Sequence, residues 1–345
     1  MGMSLAITGT GMVTGVGLNA PASCAAIRCA IDNFQETRFM DSGGEWIIGC
    51  EVPLEKPWRG RTKLIKLAAA AISECLKNNR KIEPRATPLV LCVSEQSRSG
   101  RILEDNNQFF LDLQGELRLE FHPKSRVIAM GHVSIVVALK HARDLFAQQR
   151  VKHVLIAATD SFLVAPTLAA YEEKERLLTS NNSNGFIPGE AGAALVVEPV
   201  YRNEQPQLIC LGLGFGTEKA HVDSEQPLRA DGLVAAIKDS LADSGCDMGD
   251  LDFRITDISG EQYQFKEASL ALSRILRKRK EEFDIWHPAD CIGEVGAAMG
   301  PVMLAVLKTA SEKRYSKGNR ILAHLGNDDG KRSAMVFSWQ VVESH

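Results

Sequence analysis

Short apolar runs without polar alternation recur along this 345-residue chain, separated by stretches of helical periodicity. The first half contains 4–8 (SLAIT), 88–94 (PLVLCVS), 125–130 (SRVIAM), 153–160 (HVLIAATD) and 192–198 (GAALVVE). A strand that is apolar at every position is buried on both faces, which requires helices above and below the sheet. Segments 63–77 and 134–149 have the matching 3.6-residue spacing, and Pro21 sits just inside a helix that Asn19 can cap. The second half repeats the rhythm. It has a strand and Gly-rich turn at 208–216 (LICLGLGFG), strands at 252–259, 320–326 and 333–342, and helices at 231–244, 261–278 and 296–312. The opening strand likewise runs into a Gly-rich turn, TGTGMVTGVG. The polar stretch 201–207, with Pro206, marks a lobe boundary, giving halves 1–202 and 203–345. The shared order of elements suggests a duplication.

Such a length suits two cores rather than one. A net charge of −3 gives no case for nucleic acid or an anionic membrane surface. The one basic cluster, 274–280 (RILRKRK), reads as a solvated helix end. No apolar run is long enough to span a membrane, and no secretory leader is expected. The eight cysteines are scattered without a CxxC pair, so neither a metal centre nor a disulfide framework is expected, and the reading is of a reduced, cytoplasmic protein.

Five collinear segments carry a resemblance: AITGTGMVTGVGLN, VLIAATDS, GFIPGEAGAALVVEP (185–199), PLRADGLVAAIKDSLADSGCDMGDLDFRITDISG and GEVGAAMGPVMLAVL. Together they resemble the β-ketoacyl synthases of the thiolase superfamily. The resemblance implies an α/β thiolase fold, two βαβαβαββ halves stacked as a five-layer αβαβα sandwich with the site between them. Gly189 and Gly192 flank Glu190 where the family has a tight turn, and glycine there suits a positive φ. Glu190 is then a structural carboxylate that satisfies the turn's amides.

The resembling enzymes use one Cys and two His, with a supporting Lys. The nucleophile falls at Val133, within one residue, in Met130-Gly131-His132-Val133-Ser134, which has no cysteine. A thiolate at a helix N-terminus is what that chemistry needs, and valine cannot form a thioester. Ser259 takes the first histidine's place, and Gly293-Glu294 the second's. An ionised Glu294 repels a forming enolate, or caps the helix beginning near Gly296. Where the Lys is due, in 287–291, the nearest candidates are His287 and Pro288. The loop that supplies a backbone oxyanion donor in the family reads HLGNDDGK here, with Asn327, Asp328 and Asp329 replacing glycine-rich sequence. The former active-site positions are therefore His132, Val133, Ser134, Ser259, Gly293 and Glu294. No catalytic residue, metal or cofactor is expected.

Three functions follow as expectations. The first is a non-catalytic protein-binding scaffold, adaptor or chaperone, of the kind found beside bacterial type VI secretion cargo. The second is an inactive partner subunit of an active ketosynthase, acting with an acyl carrier protein. The third is an acyltransferase or hydrolase with altered chemistry, using His132 and Ser259 as a dyad. Asp160 reads as a residue that satisfies turn amides. Phe109, Phe110 and Leu111 line a channel or belong to the core. All three readings share a homodimer, paired through 127–130, with no nucleic acid or membrane partner.

Overall fold

The computed structural model describes residues 2–149, 151–201 and 203–342. The first half runs β1 (Leu5–Thr14), α1 (Ala20–Arg28), β2 (Gln35–Met40), β3 (Trp46–Gly49), α2 (Gly60–Asn78), β4 (Leu89–Val93), α3 (Asn106–Leu117), β5 (Arg126–Ala129), α4 (Ser134–Gln149), β6 (Val154–Ser161), α5 (Ala165–Glu173) and β7 (Glu190–Pro199). The second runs β8 (Asn203–Thr217), α6 (Asp231–Ser244), β9 (Phe253–Thr256), α7 (Gln262–Ile275), β10 (Ile285–Trp286), α8 (Ala289–Ile292), α9 (Met299–Glu312), β11 (Arg320–Gly326) and β12 (Lys331–Val342).

Ten strands form one sheet in the order β10-β9-β11-β12-β8-β1-β7-β6-β4-β5, and β2 and β3 form a separate hairpin. Within each half the order is the same. The third strand lies at the edge, the second beside it, then the fourth and fifth, with the first innermost. Strand senses agree too: β4 is parallel to β5 and β6 as β9 is to β10 and β11, and the remaining pairs are antiparallel. A short antiparallel contact, Leu5 to Ile7 against Cys210 to Leu208, joins the halves.

The apolar residues sort into layers. Helices α4 and α9 touch strands of both halves, and their buried faces make the central cluster with Val136, Leu139, Val302 and Met303. Helices α2 and α3 cover the outer face of the first half. Helices α6 and α7 cover that of the second. Strands buried on both faces are what the non-alternating runs required, and the αβαβα layering is what the resemblance implied. Asn19 caps α1, its side chain accepting from the Ala22 N–H at 2.8 Å.

Four expectations change. The Gly-rich stretches after the first strands are mostly strand, because β1 continues to Thr14 and β8 to Thr217, and only Thr14–Gly17 closes the expected turn after β1. A Cβ at Gly212, Gly214 or Gly216 would lie about 2 Å from the carbonyl oxygens of Ser240, Ala236 and Gly232, so these glycines let α6 lie directly on β8. The polar stretch 201–207 is also largely strand, since β8 begins at Asn203 and its outer end is solvated. Similarly, neither Gly189 nor Gly192 has a positive φ. They are required by close approach: a Cβ would stand 2.2 Å from the Ile292 carbonyl oxygen at Gly189 and 2.3 Å from that of Leu67 at Gly192. The basic run leaves its helix early, as α7 ends at Ile275.

Candidate functional site

Four chain segments meet between the halves: the 3₁₀ turn Gly131–Val133 that feeds α4, the segment after β9, the turn before α9, and the loop joining β11 to β12. His132 comes from the first and Glu294 from the third. His132 Nε2 lies 2.7 Å from Glu294 Oε1, with both side chains buried. Glu294 Oε1 also accepts the Gly296 N–H at 2.8 Å, the capping role its position suggested. Burial opposes both charges, yet the Glu294 carboxylate overrides it and lifts His132 from 6.5 to about 10. In return, against its own burial, Glu294 is held below 4.5 by His132 and by the Gly296 amide. At neutral pH the pair is imidazolium and carboxylate. An imidazolium has no lone pair with which to attack a carbonyl or accept a proton.

Val133 is buried, and its N–H donates to Asn327 Oδ1 at 3.3 Å. Asn327 Nδ2 in turn donates to the Met130 carbonyl at 2.8 Å, so one carboxamide bridges both sides of the turn. Arg332 fixes that loop, donating to the Asn327 carbonyl at 2.7 Å while Glu267 accepts from its Nε at 2.8 and 2.9 Å. The Ser134 hydroxyl is engaged by the turn itself, accepting from Met130 N at 3.1 Å and donating to the Ile128 carbonyl at 3.4 Å.

Two further buried ion clusters close the space. Arg98 makes a pair of 2.8 Å bonds to Asp160, is held by Glu95 at 2.8 and 3.2 Å, and stacks 4.4 Å from the Phe162 ring centre. Asp160 also accepts the Ser161 and Ala297 amides, as expected for a strand-end carboxylate. A Cβ at Gly131 would fall 2.2 Å from Glu95 Oε2, and one at Gly296 2.1 Å from Asp160 Oδ2, so the turns fit tightly around this cluster. Arg176 binds Glu261 through two 2.7 Å bonds and Asp328 at 2.7 Å, and the Tyr171 hydroxyl donates to Asp328. Burial would raise Asp328, but Arg176 holds it at about 2. The cleft beside these groups, lined by Asp257, Tyr263, His324, Asn327 and Arg332, holds about 30 Å³. That is the room of about one water, against roughly 300 Å³ or more for an ordinary ligand site.

The expected positions thus fall in one place, with differences. His132 pairs with Glu294 rather than with Ser259, whose N–H and hydroxyl both donate to Gln264 Oε1, at 2.8 and 3.4 Å. The expected dyad is therefore not formed. Gly293 adopts φ +70 where the Ile187 carbonyl crowds it. Glu190 serves other elements rather than its own turn: it accepts from Val52 N and the Ser161 hydroxyl and pairs with Lys63. His287 and Pro288 lie outside the site, in a surface groove with Trp286 and Tyr315. Phe109 is core, Phe110 partly buried against it, and Leu111 exposed. Among the described residues no cluster of His, Cys, Asp and Glu could hold a metal ion. No described helix is long and apolar enough to cross a membrane. Sequence reading missed Arg98, Glu95, Arg176 and Arg332, whose partners lie far off in the chain or carry no motif. It named Asn327 only as added polarity. Its bridging role had one sequence signal, a carboxamide in a loop expected to be glycine-rich.

No family model matches the chain. A Schizosaccharomyces pombe protein bearing the name of a mitochondrial 3-oxoacyl-acyl-carrier-protein synthase is 25% identical over 170 residues, a stretch covering 43% of this chain and 40% of that protein. The ishigamide ketosynthase/chain length factor superposes with a TM-score of 0.71 at 20% identity, covering 97% of this chain and 99% of that one. A type II polyketide ketosynthase, solved in complex with its acyl-carrier protein, superposes with a TM-score of 0.79 at 14% identity, covering 98% and 100%. The chain therefore has the thiolase fold in the form that β-ketoacyl synthases adopt.

Proposed function

We propose that this chain, which has the ketosynthase form of the thiolase fold, is a non-catalytic subunit that acts by binding a partner of the same fold. One observation carries the reading. The backbone N–H at Val133, where the resemblance puts the nucleophile, is occupied by the protein's own Asn327 carboxamide. In acyl transfer such an N–H must be free to stabilise the oxyanion, and one lost donor costs about 3 kcal/mol of barrier. The side chains support the same conclusion. Valine offers no nucleophile, His132 is protonated and ion-paired, and Glu294 puts negative charge where an enolate would form.

The fold offers a surface in exchange. Strand β5 is the outermost strand of its half and presents an unpaired edge among the described residues. Its partner edge would come from a second copy or from an active ketosynthase. Structural neighbours described as ketosynthase with chain length factor favour the inactive-partner form of this reading. An acyl carrier protein is then a partner of the pair rather than of this chain alone. Co-expression with a ketosynthase encoded beside it tests the proposal. A stable heterodimer supports it, while recovery of this chain bound only to secretion components supports the adaptor role instead.

A further inference from the structure

We propose that the outward face of the β2–β3 hairpin docks a lysine- or arginine-rich amphipathic segment of a partner protein. This deepens the reading that the chain works through its surfaces and rests on it, but concerns a face remote in sequence from β5. The hairpin is the one element outside the main sheet among the described strands. Its inward residues, Phe39 and Ile47, join the aromatic cluster of Phe162, Tyr171 and Phe186. Its outward residues should then be polar, by the period-two rule. Instead Met40, Trp46 and Ile48 face solvent, 52%, 47% and 37% exposed, with Met40 directly opposite Trp46 across the strands. Single exposed apolar side chains are ordinary, but three adjoining ones including a tryptophan mark a contact surface.

The surroundings specify the occupant. A groove of about 510 Å³ runs between this face and Leu178, Thr179 and Ser180, with Glu36, Asp41 and Glu45 on its rim. A second groove shares Asp41 and Thr179 and is rimmed by Glu172, Glu173 and Glu175. Six carboxylates thus surround the patch on a chain whose whole formal charge is −3. The cations nearby are engaged: Arg38 pairs with Glu51 and Lys174 with Asp223. Asp41 and Glu172 accept the Glu45 and Ser42 amides, which also stiffens the hairpin tip. Among the described residues Glu36, Glu45, Glu173 and Glu175 have no cationic partner. An apolar centre with an acidic rim attracts a cationic segment, whose guanidinium or ammonium groups can also stack on Trp46. Two copies meeting through this face would oppose acid to acid, which disfavours self-association by symmetry.

The test uses the full chain, titrated with a synthetic alternating Lys/Leu peptide and with its Glu/Leu counterpart, followed by calorimetry at two salt concentrations. Binding of the Lys/Leu peptide alone is expected, weakened at high salt. Trp46→Ala, and separately the pair Glu36→Lys and Glu45→Lys, should each weaken it by about tenfold or more with the melting temperature unchanged. Equal binding of both peptides, or binding indifferent to Trp46→Ala, would overturn the proposal. So would a loss of self-association on Trp46→Ala, which would make the occupant a second copy, for instance through its basic run 274–280. Val127→Lys, placed on the β5 edge, should leave peptide binding intact even where it abolishes pairing, so the two proposals fail separately.

Discussion

His132 and Glu294 hold each other charged in a buried interior, where neither tolerates being alone. Removing one partner of a buried pair costs about 3–5 kcal/mol, whereas replacing both with apolar groups is often neutral. His132→Ala should therefore lower stability by that order in chemical denaturation, and a His132→Leu, Glu294→Leu double variant should recover only part of it, because the buried Gly296 N–H then loses its acceptor. The pH dependence has a definite sign. His132 is raised from 6.5 to about 10, so its contribution is complete below pH 6.5 and is lost as pH rises towards 10. Glu294 is lowered, so its contribution is complete above its ordinary 4.5 and is lost as pH falls below it. The stability difference between the wild type and Glu294→Gln should be largest between about pH 4.5 and 6.5 and should shrink towards pH 10. A flat difference across that range would remove the ion pair from the account. A thiol introduced by Val133→Cys should not confer condensation, because Asn327 still occupies the N–H of that residue. Alkylation and acyl-transfer assays on that variant, alone and with Asn327→Gly, separate the two defects. The place of His132, Ser259 and Glu294 was legible in sequence through their neighbours in recognisable turns. Arg98 with Asp160, and Arg176 with Glu261, were not, because a buried ion pair between distant residues has no spacing to read.

At the scale of elements, apolar runs and helical spacing located the strands and the long helices closely. Segments 134–149 and 231–244 have the boundaries of α4 and α6. The misreading was systematic and has one cause. In β1 and β8 glycine marks where a helix backbone lies against the strand, and the same residue elsewhere marks a turn. Only the packing partner distinguishes them. Gly192→Ala tests this. A methyl group 2.3 Å from the Leu67 carbonyl must push α2 off β7, and the expected cost is about 1–3 kcal/mol in a thermal or denaturant melt. Gly115→Ala, in α3 with open space at that position, should cost nothing and serves as the control.

For the whole molecule, the repeated strand order explains why the site sits where it does. Two halves bring the N-termini of α4 and α9 to one interface, and in this chain that interface is filled with charge pairs rather than left open. Among the described residues the outer edge of β5 is unpaired. Scattering is expected to report a pair in solution, and Val127→Lys, which sets like charges opposite each other across a symmetric strand contact, should shift it towards single chains. A wild-type chain that is monomeric at all concentrations and ignores a co-expressed ketosynthase would contradict that expectation.

The central claim, that the old site is closed to acyl chemistry, is tested most directly by intact-protein mass spectrometry after incubation with acyl and malonyl thioesters, with carbon dioxide release followed in parallel. The account predicts an unchanged mass and no decarboxylation above the uncatalysed rate. An acyl adduct on His132 or Ser134, or carbon dioxide release that disappears on His132→Ala, would contradict it.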